Sequence, residues 1–568
     1  EEEARACEAE EKRLESYPAP KHTPLLDTFF PMGVFMRATC AKRLAAMMDI
    51  SLDDYWRLSM EDITRHHHNA IALEEADALS VEEWRTLLAM AESYGLRISA
   101  HCDWSVDNFE EGGTAFIEER VAPFADSDAL LSWGFDAPPS GLNLNNILEL
   151  RDHIEAADGE HPLVILMRDA NAYPFFARHL AASGVSHFKS HAPWEIGRVT
   201  WTHHSLAKDR RFWAVGPAFT HATGFPGWNT CPEMRLMMNQ AFANGARGWF
   251  AYAYHNDPVW ISGNCQRSLT GPFLTFSDLW SELSHRTERF NAMTPLFLNA
   301  EPVLEPAFDF ELNWEVHPRS QRQEDIPPIQ RYWAQGPDYS LLYIVSNEPG
   351  EMTPLDVKVP DSLPKGLEVH DMTDFTRTRV WSPMARERHL EVFPGQGQLI
   401  FIAEPEACET WRDLMIGQMK AGDQRQIGLD LLLAQRYNLE TADVQRMIQQ
   451  IGRGAPLEDL KKLQEARDEL VNIFYRATPV AETRTEIIKA CAGICGCDGT
   501  LCRLIKMGKL ELAQDLGRRV LPLTQEITKL RLDLRRGHAP DIHAQSKAVS
   551  AKTLELLHEI RRKVPSES

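Results

Sequence analysis

The sequence predicts an α/β fold: a (β/α)8 TIM barrel, followed by a small antiparallel β-sandwich and a C-terminal α-helical domain. Three observations support this prediction. Short β-rich segments alternate with amphipathic helical segments up to about residue 254. Short alternating segments separated by Pro, Gly and Asp follow over residues 300–403, and helical periodicity dominates from Pro405 onward. A chain of 568 residues is also too long for one ordinary domain.

The barrel prediction depends on eight strand candidates. They are "FFPMGVF" (29–35), "NAIALEE" (69–75), "LRISAHC" (96–102), "LLSWGFD" (130–136), "PLVILMRD" (162–169), "SHFKSH" (186–191), "FWAVGPAF" (212–219) and "GWFAYAY" (248–254). Helical segments such as "VEEWRTLLAMAESYG" lie between them, with apolar residues at three- and four-residue intervals. Eight strand–helix units in about 250 residues are typical of a (β/α)8 barrel. An open doubly wound sheet is the alternative, but no Gly-x-Gly-x-x-Gly follows the first strand.

The remaining chain divides into two further regions. The segments "YSLLYIVSN", "LDVKV", "LEVHDM" and "GQLIFIA" predict a small antiparallel sandwich. The helical segments beyond it show no sustained heptads, so an antiparallel bundle of about four to six helices is expected rather than a coiled coil. The predicted domains are an N-terminal extension (1–28), the barrel (29–299), the sandwich (300–404) and the helical bundle (405–568).

Charge and hydropathy exclude several classes of partner. The net charge of −22 argues against nucleic acid or an anionic membrane surface. No apolar run approaches the roughly 20 residues that span a bilayer. The N-terminus has neither a basic nor an apolar leader region, so no signal peptide is visible. A chain that begins at a mature terminus would look the same, and a secreted or periplasmic location is then favoured. The sequence leaves open a homo-oligomer formed through the helical domain.

Four of the ten cysteines cluster in "CAGICGCDGTLC", at Cys491, Cys495, Cys497 and Cys502. Their spacing does not match the paired C-x2-C patterns of zinc sites. Buried free thiols, one or two disulfides and a metal site all remain open for this cluster. Elsewhere, scattered cysteines are expected to be small buried hydrophobic residues. No metal ligand and no cofactor is predicted from the sequence.

In a barrel of this kind, functional residues lie at the C-terminal ends of the strands, where the βα loops meet. Carboxylates, histidines and aromatic rings are dense at these positions. Such a rim suits a polyhydroxylated ligand, although strand ends are also polar simply because they meet water. The predicted substrate-binding residues are Arg37, Glu74, His101, Trp104, Arg168, Lys189, His191, Trp194, His221 and Tyr254.

Four segments resemble, in layout, glycoside hydrolases built on the β-galactosidase-like barrel. They are "FFPMGVF", "LLSWGFDAP", "PEMRLMMNQAFANGARGWFAYAY" and the closing "LWSELSHRTERFNAMTPLFLNAEPV", which a sandwich follows. The resemblance covers residues 29–403 and implies a barrel and sandwich acting on glycans. It also implies an acid/base glutamate at the end of strand four and a second glutamate at the end of strand seven.

Neither of those glutamates is matched. Strand four ends in Asp136-Ala137-Pro138, and "FWAVGPAFTH" at strand seven offers no carboxylate. Glu233 lies nearest, but it begins a helix, where it is expected to face the helix dipole and the free amides. Because glycoside hydrolysis normally needs two carboxylates, other residues would have to supply them.

Three aspartates at strand ends are the candidates: Asp136, Asp103 and Asp169. Asp136 shares a strand face with the small residues Ser132 and Gly134. Small residues suit the crowded barrel interior, so Asp136 is predicted to point over the barrel mouth. Asp103 lies on the polar face of strand three and should reach the mouth as well. Strand alternation does not decide the direction of Asp169.

Two classes of function fit the sequence. The first is a glycoside hydrolase that acts on a poly- or oligosaccharide with aspartates in place of the usual glutamates. The second is an inactive glycan-binding or scaffolding pseudoenzyme, which the fold alone does not exclude. Ser-His-Asp catalysis and nucleotide binding are disfavoured, because neither Gly-x-Ser-x-Gly nor a P-loop pattern occurs.

Overall fold

The computed structural model describes most of the chain. The described residues are 12–13, 16–102, 117, 119–137, 144–167, 177–189, 192–207, 210–220, 227–258, 260, 267–271, 273–316, 318–320, 325–372, 382–452 and 454–564. For 135–137, 144–146 and 382 the description covers the backbone alone.

Eight parallel strands close into a barrel in sequence order, which confirms the predicted fold class. The strands are β1 (Met32–Arg37), β2 (Ala70–Glu74), β3 (Arg97–His101), β4 (Leu130–Ala137), β5 (Leu163–Met167), β6 (Ala182–Ser186), β7 (Arg211–Pro217) and β8 (Trp249–Tyr252). β8 pairs with β1, which closes the ring.

The position predicted for the sixth strand, 186–191, is wrong, because β6 spans Ala182–Ser186. Its sequence, "ASGVS", is mostly small residues, which carry little strand signal. Small residues fit here because the barrel interior has little space: a Cβ at Gly184 would lie 2.9 Å from Leu166 Cδ1. As a consequence, His187 and Phe188, rather than Lys189, directly follow the end of β6.

The helices around the barrel complete its outer layer. They are α1 (Pro24–Thr28), α2 (Ala38–Met47), α3 (Leu52–Arg65), α4 (Val81–Ser93), α5 (Leu144–Ala157), α6 (Glu195–Ala207), α7 (Cys231–Ala243) and α8 (Asp278–Asn299). Ser80 with Glu83, and Thr230 with Glu233, close capping boxes at the starts of α4 and α7. Each box satisfies backbone amides that the first helical turn leaves without partners.

Strand alternation separates two layers of core. Side chains inside the barrel include Phe35, Ala70, Ala72, Val164, Leu166, Ala182, Trp213, Val215 and Phe250. The intervening residues pack against the helices. Trp133 belongs to the outer layer, where its Nε1 donates to Asp158 Oδ2 at 2.8 Å. Ser132 beside it is buried on the inner face, as the alternation of β4 requires.

Two antiparallel sheets follow the barrel, built from β9 to β17. The strands are β9 (Glu301–Val303), β10 (Glu311–Trp314), β11 (Ile329–Gln335), β12 (Tyr339–Ser346), β13 (Thr353–Lys358), β14 (Glu368–Asp371), β15 (Ser382–Pro383), β16 (Glu387–Val392) and β17 (Gly397–Ala403). One sheet has the order β10-β13-β16 and the other β15-β14-β17-β12-β11-β9.

The six-stranded sheet is buried on both faces. Leu342 and Ile400 pack in the core between the two sheets. Tyr343 and Phe401 point the other way, into the large core that includes the barrel helices. Tyr343 Oη donates to Asn239 Oδ1 on α7 at 2.7 Å. The sandwich is therefore attached to the barrel by apolar packing as well as by specific hydrogen bonds.

Six helices in the described part of the chain follow the sandwich. They are α9 (Pro405–Arg436), α10 (Ala442–Gln449), α11 (Pro456–Arg476), α12 (Thr478–Lys506), α13 (Leu510–Arg535) and α14 (Ala539–Arg562). They dock on the barrel: Arg65 Nη1 lies 2.7 Å from Asp430 Oδ1, and Gln525 Nε2 donates to the carbonyl of Met47 at 3.0 Å. The division of the chain into domains remains a prediction, although α8 ends at Asn299 and α9 begins at Pro405.

The cysteine cluster lies along α12, with Cys491 and Cys497 buried and Cys495 and Cys502 partly exposed. Every cysteine that the structure describes carries a free thiol. Within that same part of the chain, no helix has both the length and the apolar character that a bilayer span requires.

The crowding inside the barrel makes a direct stability prediction. A Cβ at Gly33 would meet the Phe250 ring and lie 2.8 Å from the carbonyl oxygen of Ala70. Gly33→Ala should therefore lower the free energy of unfolding by about 1–3 kcal/mol. Gly422→Ala is the matched control, because no heavy atom lies within 4 Å of that Cβ position on α9. It should raise stability by about 0.5–1 kcal/mol. Urea unfolding measures both, and equal effects would contradict the packing.

Candidate functional site

Three polar side chains converge at the C-terminal ends of β1, β2 and β8. Glu74 Oε2 accepts hydrogen bonds from Arg37 Nη2 and from Tyr252 Oη, each at 3.2 Å. Arg37 Nη2 also donates to Tyr252 Oη at 3.2 Å, and Arg37 Nε lies 3.4 Å from Glu75 Oε1. We refer to Arg37, Glu74 and Tyr252 as the mouth cluster.

Strand register produces the mouth cluster. Arg37 and Glu74 are Cα partners in the parallel pairing of β1 with β2, and Tyr252 ends β8 on the other side of β1. The residues two positions earlier on each of these strands belong to the barrel interior. Alternation therefore turns all three cluster side chains toward the mouth.

Aromatic rings lie directly beside the mouth cluster. The Tyr252 ring centroid lies 5.2 Å from those of Phe35 and Phe219, and 5.5 Å from that of Phe188. Phe188 and Tyr252 are partly exposed, whereas Phe35 is buried. We refer to these four rings as the aromatic floor. Its two partly exposed rings lie next to a carboxylate and a guanidinium.

A buried histidine holds the backbone of the mouth cluster. The Arg37 backbone N–H donates to His255 Nε2 at 2.9 Å, and His255 Nδ1 lies 2.6 Å from Tyr55 Oη. Because a backbone N–H can only donate, Nε2 must accept, and Nδ1 carries the ring proton toward Tyr55. Burial lowers the pKa of His255 to about 3, so the ring is neutral. Together with Asp257, it borders a cavity of about 100 Å³ at the mouth.

A polar ladder crosses the barrel interior below the end of β4. Ser99 Oγ lies 2.6 Å from Ser132 Oγ and 3.1 Å from His101 Nε2. The His101 ring meets Phe35 edge-on, at 5.6 Å between centroids. Further along β4, the backbone of Asp136 pairs with that of Leu166 on β5.

The structure brings three predicted binding residues to one mouth: Arg37, Glu74 and His101. Lys189, three residues beyond the end of β6, is half exposed, with its Nζ 3.2 Å from Glu195 Oε2. Six predicted residues lie outside the described residues, namely Asp103, Trp104, Arg168, Asp169, His191 and His221, and so does the side chain of Asp136.

Two predicted binding residues are placed differently. Tyr254 is completely buried, and its Oη donates to Asp62 Oδ2 on α3 at 2.9 Å. β8 ends at Tyr252, two residues earlier than expected, so Tyr254 turns into the helical layer. Trp194 borders an outer groove of about 660 Å³ between α6 and the sandwich, which Trp201 also lines.

Sequence reasoning missed Tyr252 and Phe188. Tyr252 lies on the same strand face as Phe250, and that alternation was the available signal. Phe188 was missed because the sixth strand was predicted too far along the chain and included this residue. Three consecutive histidines, His66 to His68, precede β2. The His66 ring stacks on Trp280 of α8, with centroids 4.3 Å apart, so it has a structural contact there.

No protein-family model matches the chain, and neither does any curated protein sequence. Three solved structures illustrate what the chain is similar to. The first, a glycoside hydrolase, is 11% identical to this chain. The match covers 66% of this chain and 93% of the glycoside hydrolase, with a TM-score of 0.44. A family 5 glycoside hydrolase from Bacteroides vulgatus is 10% identical, covering 66% and 90%, with a TM-score of 0.43. An Anoxybacillus α-amylase is 10% identical, covering 67% and 98%, with a TM-score of 0.43.

These neighbours are glycoside hydrolases, the class that the layout of the sequence resembles. Similarities at this level leave the function to be argued from this chain's own side chains. What the chain itself defines is a closed (β/α)8 barrel whose mouth combines a carboxylate, a guanidinium and partly exposed aromatic rings.

The neutral, buried His255 should contribute to the pH dependence of stability. Its pKa falls from 6.5 in the unfolded chain to about 3 in the folded one, so below pH 6.5 the unfolded state binds more protons. The contribution of His255 to the free energy of unfolding is therefore fully present above pH 6.5 and decreases as the pH falls toward 3. Between pH 7.5 and 5.5, wild type should lose about 1.4 kcal/mol more than His255→Ala.

Urea unfolding at the two pH values measures this difference. His285→Ala is the control, because His285 is exposed on α8. That variant should keep the wild-type pH dependence. Equal pH dependence in wild type and His255→Ala would show that His255 is not buried and neutral.

Proposed function

We propose that this protein binds a poly- or oligosaccharide at the C-terminal mouth of the barrel and acts on it as a glycoside hydrolase. The mouth cluster beside the aromatic floor carries this proposal. Sugar rings combine apolar C–H faces with a rim of hydroxyl groups, and they need both kinds of partner at once.

Within the proposed site, the two kinds of contact have separate tasks. The exposed faces of Phe188 and Tyr252 support a sugar ring. Glu74 accepts hydrogen bonds from sugar hydroxyls, and Arg37 orients that carboxylate by donating to Oε2. Hydrogen bonds to a charged group are stronger than neutral ones, so Glu74 fixes the position of the ring.

The ligand is proposed to be neutral. Of the three cations that could favour an acidic sugar, Arg37 and Lys189 each pair with a glutamate. The third, Arg168, lies outside the described residues. Neutral oligosaccharides should therefore bind at least as tightly as matched uronic-acid or sulfated ones.

Hydrolysis is proposed to use Asp136 together with Asp103 or Asp169. Asp136 lies near the C-terminal end of β4, where its backbone pairs with that of Leu166 on β5. One carboxyl group would protonate the leaving oxygen, and the other would act as nucleophile or as the base for water. Glu74 is assigned to binding, because Arg37 and Tyr252 already engage its Oε2 atom.

A glycan-binding protein without turnover is the second candidate function. It is favoured by the engagement of Glu74 in the mouth cluster and by β7, where Arg211–Pro217 contains no carboxylate. A binding protein would use the mouth cluster and the aromatic floor in the same way, and it would need no second carboxylate.

The variant Asp136→Asn separates these functions. If Asp136 takes part in hydrolysis, the amide should reduce turnover of a polysaccharide substrate at least about 100-fold, while binding changes little. Turnover and binding are measured in parallel on a panel of neutral polysaccharides. Asp361→Asn is the control: this side chain is 84% exposed on the sandwich, 3.4 Å from Arg386, and should leave both quantities unchanged.

Full turnover in Asp136→Asn would exclude a catalytic role. Weaker binding with intact turnover would make Asp136 a ligand contact instead. Glycan binding by wild type without any hydrolysis would support the second candidate function.

The variant Glu74→Gln tests the binding role of the mouth cluster. It keeps the shape of the side chain but removes the charge, so glycan affinity should fall about tenfold. Glu82→Gln is the control, because Glu82 pairs with Arg85 on an exposed helix surface. Isothermal titration gives both affinities. An unchanged affinity in Glu74→Gln would remove the mouth cluster from the proposed site.

A further inference from the structure

A second group of polar side chains lies outside the barrel strands, where the sandwich meets the helical domain. Glu368, His370 and Cys408 each place one potential ligand atom within 4.8 Å of the other two. His370 Nε2 lies 2.9 Å from Glu368 Oε2. These three residues form the only such group among the described residues.

Rigid elements hold the three side chains in place. Glu368 and His370 lie on β14, two residues apart and therefore on the same face of the sheet. β14 pairs with β17, so that His370 is opposite Phe401, and β17 leads into α9 through Glu404 alone. Cys408 lies in the first turns of α9, and its Sγ is 3.7 Å from the carbonyl oxygen of Ala403. The group thus bridges a strand and the first helix of the next region.

Burial differs among the three side chains in a way that suits a metal site. Cys408 is 3% exposed, the His370 side chain is 8% exposed and the Glu368 side chain is 48% exposed. Two ligands are therefore shielded from competing water, while the glutamate marks the path from solvent. Burial and then the Glu368 carboxylate raise the pKa of the Cys408 thiol to about 11. A divalent cation between the two groups would reverse that repulsion.

We propose that Glu368, His370 and Cys408 bind a divalent metal ion of the zinc type. A thiolate, an imidazole and a carboxylate are the three protein ligands that Zn²⁺ accepts, and water would complete a tetrahedron. Binding releases the thiol proton to solvent as the Cys408 sulfur bonds to the metal. At metal–ligand distances of about 2.0–2.3 Å, ligand atoms lie roughly 3.4 Å apart. The three atoms, which all lie within 4.8 Å of one another, would adjust to that spacing by side-chain rotation on binding.

The metal would fasten the sandwich to the helical domain. β14 lies near the end of the six-stranded sheet, next to the short β15. A bond from this strand to α9 adds a cross-link at the point where the chain passes between the two regions. Other charged groups near Cys408 are Arg412 and Asp338, which oppose each other in sign.

The test uses the full-length protein after treatment with a chelator. Titration with Co²⁺ should produce one equivalent of thiolate-to-cobalt absorption in the near ultraviolet. Zn²⁺ should abolish that absorption by competition and should raise the thermal midpoint of unfolding. Cys408→Ser should lose the absorption, and Glu368→Gln, which alters a half-exposed side chain and should fold normally, should weaken Co²⁺ binding at least about tenfold.

Two matched controls complete the experiment. Cys231→Ser removes a partly exposed thiol outside the proposed site. His389→Ala removes a histidine that contacts a carboxylate, with Nδ1 2.8 Å from Asp356 Oδ1, but has no cysteine among its described contacts. Both should bind Co²⁺ as wild type does. The proposal is overturned if wild type shows no thiolate absorption, or if Cys408→Ser or Glu368→Gln binds the metal as tightly as wild type.

Discussion

The limited space inside a closed eight-stranded barrel is the constraint on which the rest of the structure depends. Two large inward side chains are accommodated where a neighbouring strand offers a glycine: Phe250 faces Gly33, and Leu166 faces Gly184. This complementarity fixes which residues of each strand point inward. It therefore also fixes which side chains emerge at the C-terminal ends, where Glu74 and its partners meet. The chemistry of the mouth follows from the packing of the core below it.

Much of this architecture could be predicted from the sequence because periodicity reports burial. Seven of the eight strands, the sandwich and the helical region carry strong patterns. The sixth strand was predicted at the wrong position, because its small residues fit the barrel interior but have no strand signal of their own. The prediction that Tyr254 binds substrate depended on the exact end of β8, because that end decides which way the side chain turns. The uniformly apolar sequence "WFAYAY" does not show where the strand ends to within two residues. Arg37 and Glu74 were found individually, but their pairing depends on strand register.

The outer regions of the chain pack against the barrel and add stability. The six-stranded sheet buries both faces, and the helical domain reaches the barrel through contacts such as Arg65 with Asp430. Buried neutral histidines hold loops and helix ends at several of these places: His255 supports the backbone of Arg37, and His68 is buried between the end of α3 and α8. A sequence pattern cannot reveal such roles, because a single histidine has no periodicity.

The central claim is that a carbohydrate occupies the barrel mouth. A crystal structure of the protein soaked with a neutral oligosaccharide that it binds in solution tests this claim most directly. The account predicts a sugar ring against Phe188 or Tyr252, with a hydroxyl group within hydrogen-bonding distance of Glu74. An oligosaccharide bound instead in the outer groove beside Trp194 and Trp201, with the mouth empty, would contradict it.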